Sequence, residues 1–142
     1  MPRYALLFDQ DENVAQWCWK KFDLFPMPYN MAIGIIDQND TPRLVGCAMF
    51  YWWNGCNIEL NYYGPGTPTL GITRILATLA VRKFNVTRVT VRTQCENVIR
   101  GMRKLGFEQE GYEADFYGKH KPATRMVMFR RDLERLAGAG VQ

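Results

Sequence analysis

The sequence predicts a mixed α/β fold: one mostly antiparallel sheet with a single parallel strand pair, flanked by helices. Three observations predict it. Apolar residues recur with the helical period in three segments and with the strand pattern in six others, in the order helix, three strands, helix, strand, helix, two strands. An Asn54-Gly55 pair between two apolar runs is a two-residue hairpin signal, so those strands are antiparallel. Strand, helix and strand in mid-chain require a right-handed crossover, and therefore one parallel pair. With 142 residues and 47% hydrophobic content the chain is sized for one domain with its own core. The expected organisation is a single domain over residues 1–136 and a flexible, glycine-rich tail over 137–142.

The elements follow in order. Val14, Trp17, Cys18 and Phe22 share one side of a helix, with Asp11 as its expected N-cap. Phe25-Pro26-Met27-Pro28 must be extended, because each proline disfavours helical geometry in the residue before it. Met31–Asp37, Leu44–Trp53 and Cys56–Tyr63 read as a three-stranded meander, with a turn cluster at Gln38–Pro42 and the Asn54-Gly55 hairpin between them. Gly64–Thr69 is too rich in glycine and proline for regular structure. Ile72, Ile75, Leu76, Leu79 and Ala80 then mark a helix running to about Phe84. Val86–Thr93 alternates as a strand, with Arg88, Thr90 and Arg92 on one side. A further helix covers about Asn97–Leu105 and ends at Gly106. Phe107–Tyr117 and Arg125–Arg131 form the closing antiparallel pair.

Composition excludes several chemistries. The chain has no serine, so a Ser-His-Asp triad is impossible. Its one histidine (His120) and four scattered cysteines (Cys18, Cys47, Cys56 and Cys95, spaced 29, 9 and 39 residues apart) give no zinc-finger spacing, and no metal is expected. The cysteines read as reduced thiols of a cytosolic protein. No apolar run reaches the ~18 residues of a membrane span, and the start does not read as a signal peptide.

The strongest local feature is the glycine- and threonine-rich segment Gly64–Arg74, which leaves a strand and enters a helix. Backbone N–H groups at a helix N-terminus form an anion site. Thr67, Thr69 and Thr73 add hydroxyls and Arg74 a charge. The segment lacks the Gly-Lys-Ser/Thr of a P-loop. A ligand-free strand–loop–helix turn is the bland reading.

Further along, Lys104-Leu105-Gly106-Phe107 closes a helix and is followed by Glu108-Gln109-Glu110-Gly111. These residues, with the element order, resemble the GNAT superfamily of N-acetyltransferases over about Met31–Arg131. The hairpin Asn54–Glu59 and the helix start Thr73–Leu76 resemble most the small GNAT-like proteins encoded by phages and prophages. The resemblance implies a GNAT-like fold and an acetyl-CoA-dependent N-acyltransferase. In it, acetyl-CoA would lie where the strand Cys56–Tyr63 splays from Val86–Thr93. Its pyrophosphate would sit on the amides of Leu70, Gly71, Ile72, Thr73 and Arg74. Its pantetheine would pair with Leu60, Asn61 and Tyr62, whose strand also supplies an N–H to the thioester carbonyl. An amine would attack that carbonyl, and the thiolate would leave and take a proton.

The sequence departs from the family at two places. The loop motif Q/R-x-x-G-x-G/A is represented at Pro68–Thr73 by Gly71 alone. The last helix carries Cys95 and Met102 where the family places an Asn and a Tyr. That Tyr is the family's general acid, and a methionine cannot donate a proton. Tyr62, Tyr63, Tyr112, Tyr117 or the Cys95 thiol would then take its place.

Glu59 is the candidate general base, against the bland reading of a solvated strand residue. Tyr62 and Tyr112 complete the candidate catalytic set, and Cys95 and Met102 the cofactor-contacting one. His120 reads as solvated. Tyr51-Trp52-Trp53 reads as strand packing, an acceptor pocket or an interface. From Gly71 to Lys104 there are eight basic residues and one acid, and from Glu108 to Asp115 four acids and no base. The functional reading of the basic stretch is a positive field around the mouth of a coenzyme A site, and the bland reading, solvated helix faces, covers most of its residues. No RNA-binding motif accompanies it, so nucleic acid is disfavoured as a partner. Expected partners are a small-molecule or protein amine and a second copy of the chain. The competing reading is a GNAT-fold protein without catalysis, serving as a binding or structural component, for example of a phage virion. Location follows the reading: cytoplasmic for the enzyme, virion-associated for the alternative.

Overall fold

The computed structural model describes residues 3–138. Its elements are β1 (Tyr4–Leu7), α1 (Asp11–Lys21), β2 (Met31–Asp37), β3 (Arg43–Tyr51), β4 (Asn57–Tyr63), α2 (Leu70–Arg82), β5 (Arg88–Thr93), α3 (Glu96–Leu105), β6 (Glu108–Glu113), β7 (Ala123–Phe129) and α4 (Arg130–Ala137). The seven strands form a mostly antiparallel sheet in the order β1-β2-β3-β4-β5-β7-β6. β4 and β5 are its parallel pair. The chain divides into two compact units, Met1–Trp52 with Leu60–Pro68, and Trp53–Glu59 with Thr69–Gln142. β4 therefore runs from the second unit into the first.

In the first unit α1 packs on β2 and β3. Val14, Ala15 and Cys18 form its buried stripe and meet Ala32, Cys47, Met49 and Tyr51 from the sheet. Two expectations are corrected here. Asp11 does not cap α1; Gln10 takes that position. The Asp11 carboxylate instead accepts the Ala32 N–H at 2.9 Å and ties the helix start to β2. Cys18 and Cys47 are not reduced thiols. They form a disulfide with Cα atoms 6.6 Å apart, because the inner stripe of α1 sits over the inner face of β3. Cys56 and Cys95 are free and exposed. At Gly46 a Cβ would lie 2.5 Å from the Tyr63 carbonyl oxygen and 2.9 Å from Gly64 Cα, so the chain passes too close there for any side chain.

The second unit opens on a turn nucleated by Asn54. Its side-chain oxygen accepts the N–H groups of Cys56 at 2.9 Å and Asn57 at 2.7 Å, and Gly55 takes φ 93°. β3 stops two residues before the expected Trp53, because Trp52 turns into the left-handed region at φ 54°. Trp52 and Trp53 are exposed, and Trp53 packs edge-on to Phe84 with ring centres 5.5 Å apart. α3 ends at Gly106 with φ 113°, as its sequence predicts.

Two elements were not expected. β1 is too short and one-sided to stand out by its pattern. α4 occupies Arg130–Ala137, where the strand was expected to end and the tail to begin. It packs against α2, and Leu133 and Ala137 are buried. The Arg130 N–H bonds to Thr87 O at 2.8 Å, and its guanidinium reaches Val86 O at 3.0 Å. Ala137 thus belongs to a helix, while residues 139–142 of the expected tail lie outside the described residues.

Candidate functional site

The parallel ladder between β4 and β5 is three residues long: Asn57 opposite Arg88, Ile58 opposite Val89 and Glu59 opposite Thr90. The strands themselves continue to Tyr63 and Thr93.

In the second unit, α2 begins at the expected anion loop. Thr69 is its N-cap, with its hydroxyl oxygen accepting the Ile72 N–H at 3.2 Å. The Thr73 N–H bonds Thr69 O at 2.9 Å, and the Thr73 hydroxyl donates to the same oxygen at 2.8 Å. The expected five-amide seat is thereby reduced. Ile72 and Thr73 use their N–H groups in the cap, and Arg74 N–H lies inside the helix ladder. Leu70 and Gly71 are the amides for which the helix offers no acceptor. No acidic residue occupies the first turn, so the positive end of the dipole stands uncompensated. Leu70 and Arg74 are exposed. Gly71 is not required by packing: a Cβ there would meet only the Thr69 hydroxyl, at 3.9 Å.

The candidate base Glu59 is buried, not a solvated strand residue. Its side chain is 5% exposed, and its carboxylate is ion-paired with Arg92 of β5. Arg92 also donates from Nε to Glu113 of β6 at 2.7 Å. Arg125 of β7 lies 3.6 Å from Glu113 and 3.4 Å from Glu110. Glu110 is ion-paired with Arg88, whose hydrogen bond is the main cause of its carboxyl being held below the ordinary range. Arg88 Nε and the Thr90 hydroxyl both donate to the Asn57 side-chain oxygen, at 3.0 and 2.7 Å. Phe116 covers the Arg92 guanidinium with its ring centre 5.3 Å away.

This network narrows the expected positive field to the basic residues on or beside the helices, such as Arg74, Lys83, Arg100 and Lys104. Arg88 and Arg92 are neutralised by the acidic stretch that follows them in sequence. Of the missed partners (Arg92, Glu113 and Phe116), Arg92 had a legible signal. Asn57 and Glu59 alternate on β4 in step with Arg88, Thr90 and Arg92 on β5, whereas the irregularity between Gln109 and Gly111 of β6 breaks the alternation that relates Glu110 to Glu113.

The remaining candidates are spread out. Leu60, Asn61 and Tyr62 lie half-buried in the first unit. Burial, then the nearby Tyr4, pushes the Tyr62 phenol above its ordinary pKa, so it keeps its proton. Tyr63 packs on Phe22 with ring centres 5.7 Å apart. In the second unit Tyr112 sits on the edge strand β6 and is 64% exposed. The Tyr117 phenol is also raised, by burial first, with Arg92 acting in the opposite direction. Cys95 is the exposed N-cap of α3, and Met102 is half-buried one turn before its end. His120 is exposed, as expected. Among the described residues no group of three or more His, Cys, Asp or Glu could hold a metal ion, and no helix is long and apolar enough to cross a membrane.

The sheet order, the short parallel pair and the helix that follows β4 define the fold of the GNAT acetyltransferases. Solved structures agree. The chain is similar to a chimera of spermidine N-acetyltransferase SpeG from Vibrio cholerae and hSSAT, with TM-score 0.61 and 15% identity over 81% of this chain and 73% of the other. It is similar to a GNAT-family acetyltransferase from Bacillus anthracis, with TM-score 0.56 and 15% identity over 70% and 66%. It is also similar to the Vibrio cholerae spermidine N-acetyltransferase solved with CoA and spermine, with TM-score 0.54 and 17% identity over 72% and 67%. No protein-family profile and no curated protein sequence matches the chain.

Proposed function

We propose that the protein is an acetyl-CoA-dependent N-acyltransferase that moves the acetyl group to an amine by direct attack on the thioester. One observation carries this reading. In a fold shared with acetyltransferases, the parallel ladder ends at Glu59 and Thr90, and β4 is followed by a helix with an acid-free, capped N-terminus. The amides of Leu70 and Gly71 would hold the pyrophosphate, with Ile72, Thr73 and Arg74 around them. Leu60, Asn61 and Tyr62 would pair with the pantetheine, and Cys95 and Met102 would contact the cofactor from α3.

In the reaction the amine nitrogen forms a bond to the acetyl carbonyl carbon and the carbon–sulfur bond breaks. The amine's proton passes to Glu59 through water, and the departing thiolate takes a proton from a tyrosine. Tyr62, whose phenol burial keeps protonated, suits that role. Tyr112 is the more solvent-exposed alternative. The acceptor proposed is a primary amine, small or on a protein, the class to which the spermine bound in the Vibrio cholerae structure belongs.

The test is calorimetric titration with acetyl-CoA, followed by thiol release with a primary-amine panel. Glu59→Gln should retain binding and lose transfer. No binding at about millimolar ligand, a range corresponding to roughly −4 kcal/mol, refutes the reading. A second reading, a binding or structural protein of the same fold without catalysis, is favoured by Met102 at the family's general-acid position. It is the outcome if acetyl-CoA binds and no amine turns over.

A further inference from the structure

Glu59 is the innermost end of the charge network. Side-chain exposure rises outward, from 5% at Glu59 to 17% at Arg92 and 31% at Glu113. A carboxylate taken out of water is stable as an anion only when it is paired. The nearest polar groups on its own face are committed elsewhere: the Asn57 oxygen already accepts from Arg88 and Thr90. Arg92 is the cation that engages Glu59, through Nη1 to Oε1, while its Nε is held by Glu113 on a different strand. Phe116 lies over the guanidinium plane. The fork of Arg92 is thus fixed from three sides. The carboxylate is thus anchored through Oε1 by a guanidinium that is itself held in place.

We infer that Arg92 is a positioning residue for the reaction: it keeps Glu59 ionised inside the protein and fixes the orientation of its carboxylate, with Glu113 and Phe116 holding Arg92 in turn. This rests on the acyltransferase reading above. The charged and titratable groups that face the pair are Glu113 on β6, Arg125 on β7, and Tyr117 in the connection between those strands. Glu110 and Arg88 lie one step beyond. Replacing Arg92 with a neutral residue leaves Glu59 buried without its cation, so it must gain a proton more readily. A residue that only braced the sheet would change stability and leave the pH dependence of turnover where it was.

The experiment is the pH profile of kcat/KM for acetyl transfer by the full chain, with acetyl-CoA and spermidine, butylamine and a peptide N-terminus as amine probes. Arg92→Gln should move the acid limb to higher pH by about one unit or more, the scale of an adjacent-charge effect. Arg92→Lys should return the limb close to wild type while lowering kcat about tenfold, because lysine restores the charge without the fork. An unmoved limb in a folded, active Arg92→Gln overturns the inference and leaves the acyltransferase reading standing. Wild-type protein that neither binds acetyl-CoA nor releases its thiol overturns both. Where Arg92→Gln does not fold, Glu113→Gln and Arg92→Lys decide. Freeing Arg92 from Glu113 should move the limb to lower pH, and an unmoved limb there together with an undiminished kcat in Arg92→Lys overturns the inference.

Discussion

Gly71→Ala separates folding from ligand binding at the start of α2. Gly71 has no positive φ, and a methyl group there would meet only the Thr69 hydroxyl at 3.9 Å. The fold itself therefore has no use for a glycine. Alanine in a helix is favoured over glycine by about 0.5–1 kcal/mol. For a chain of this size that corresponds to a rise in Tm of roughly 1–4 °C. Ligand binding should respond in the opposite sense. If pyrophosphate sits on the Leu70 and Gly71 amides, the added methyl group stands over one of the two N–H groups not used by the cap. Loss of one charge-assisted hydrogen bond is worth roughly 1.5–3 kcal/mol. The expected result is a weakening of acetyl-CoA by about ten- to a hundredfold. Differential scanning calorimetry reads the first effect and isothermal titration the second. A variant that melts higher and binds acetyl-CoA as tightly as wild type refutes the assignment of this helix start to the cofactor. A variant that melts markedly lower refutes the geometry at Gly71.

Gly46→Ala should be among the most damaging small substitutions. Its methyl group would press on backbone at Tyr63 and Gly64 that cannot rotate away, and a loss of about 3 kcal/mol or more is expected from urea unfolding. Leu133→Ala should cost about 2–5 kcal/mol, measured the same way, if α4 is part of the core and not a tail. Thiol titration of unfolded, unreduced protein should count two groups, Cys56 and Cys95, and four after reduction. Glu110 is lowered from 4.5, chiefly by the Arg88 hydrogen bond. Its contribution to stability is therefore complete above about pH 4.5 and lost as pH falls through the lower folded value. Glu110→Gln should flatten the stability profile on that acid side, read from melting temperatures between about pH 2 and 5.

The order of the central elements was legible because each has a long, regular pattern. β2, β3, β4, α2, β5 and α3 carry enough apolar residues at a single period to identify them, and Asn54-Gly55 and Gly106 mark ends that follow from local backbone chemistry. The misses have a common cause: they depend on what another part of the chain does. α4 is eight residues with few apolar positions and is secured by packing on α2 and by Arg130 reaching back to Val86. Asp11 has the chemistry of a cap, yet its oxygen finds the Ala32 amide 21 residues away. The Cys18–Cys47 pairing depends on how α1 lies on β3, which a separation of 29 residues does not encode. At the anion loop the sequence located the helix start, but not that two of its threonines serve the helix's own cap.

The charge asymmetry carries the same lesson into the site. Read along the chain, a basic run and an acidic run look like two patches of opposite sign. The β5–β7–β6 arrangement lays the second run over the first, and Arg88, Arg92 and Arg125 form a shared network with Glu59, Glu110 and Glu113. Three positive and three negative side chains cancel, so the formal net charge of +4 resides outside this network. Exposed Arg74, Lys83, Arg100 and Lys104 on or beside the helices carry part of it. Arg74 opens the second turn of α2. A polyanionic ligand arriving at Leu70 and Gly71 would then be steered by helix-borne charge and by the dipole, both sensitive to salt. The Glu59–Arg92 pair, 5% and 17% exposed, should respond far less to salt. Ionic strength should therefore weaken acetyl-CoA binding strongly while leaving the acid limb of turnover in place, which makes cofactor capture and proton acceptance separable in one titration.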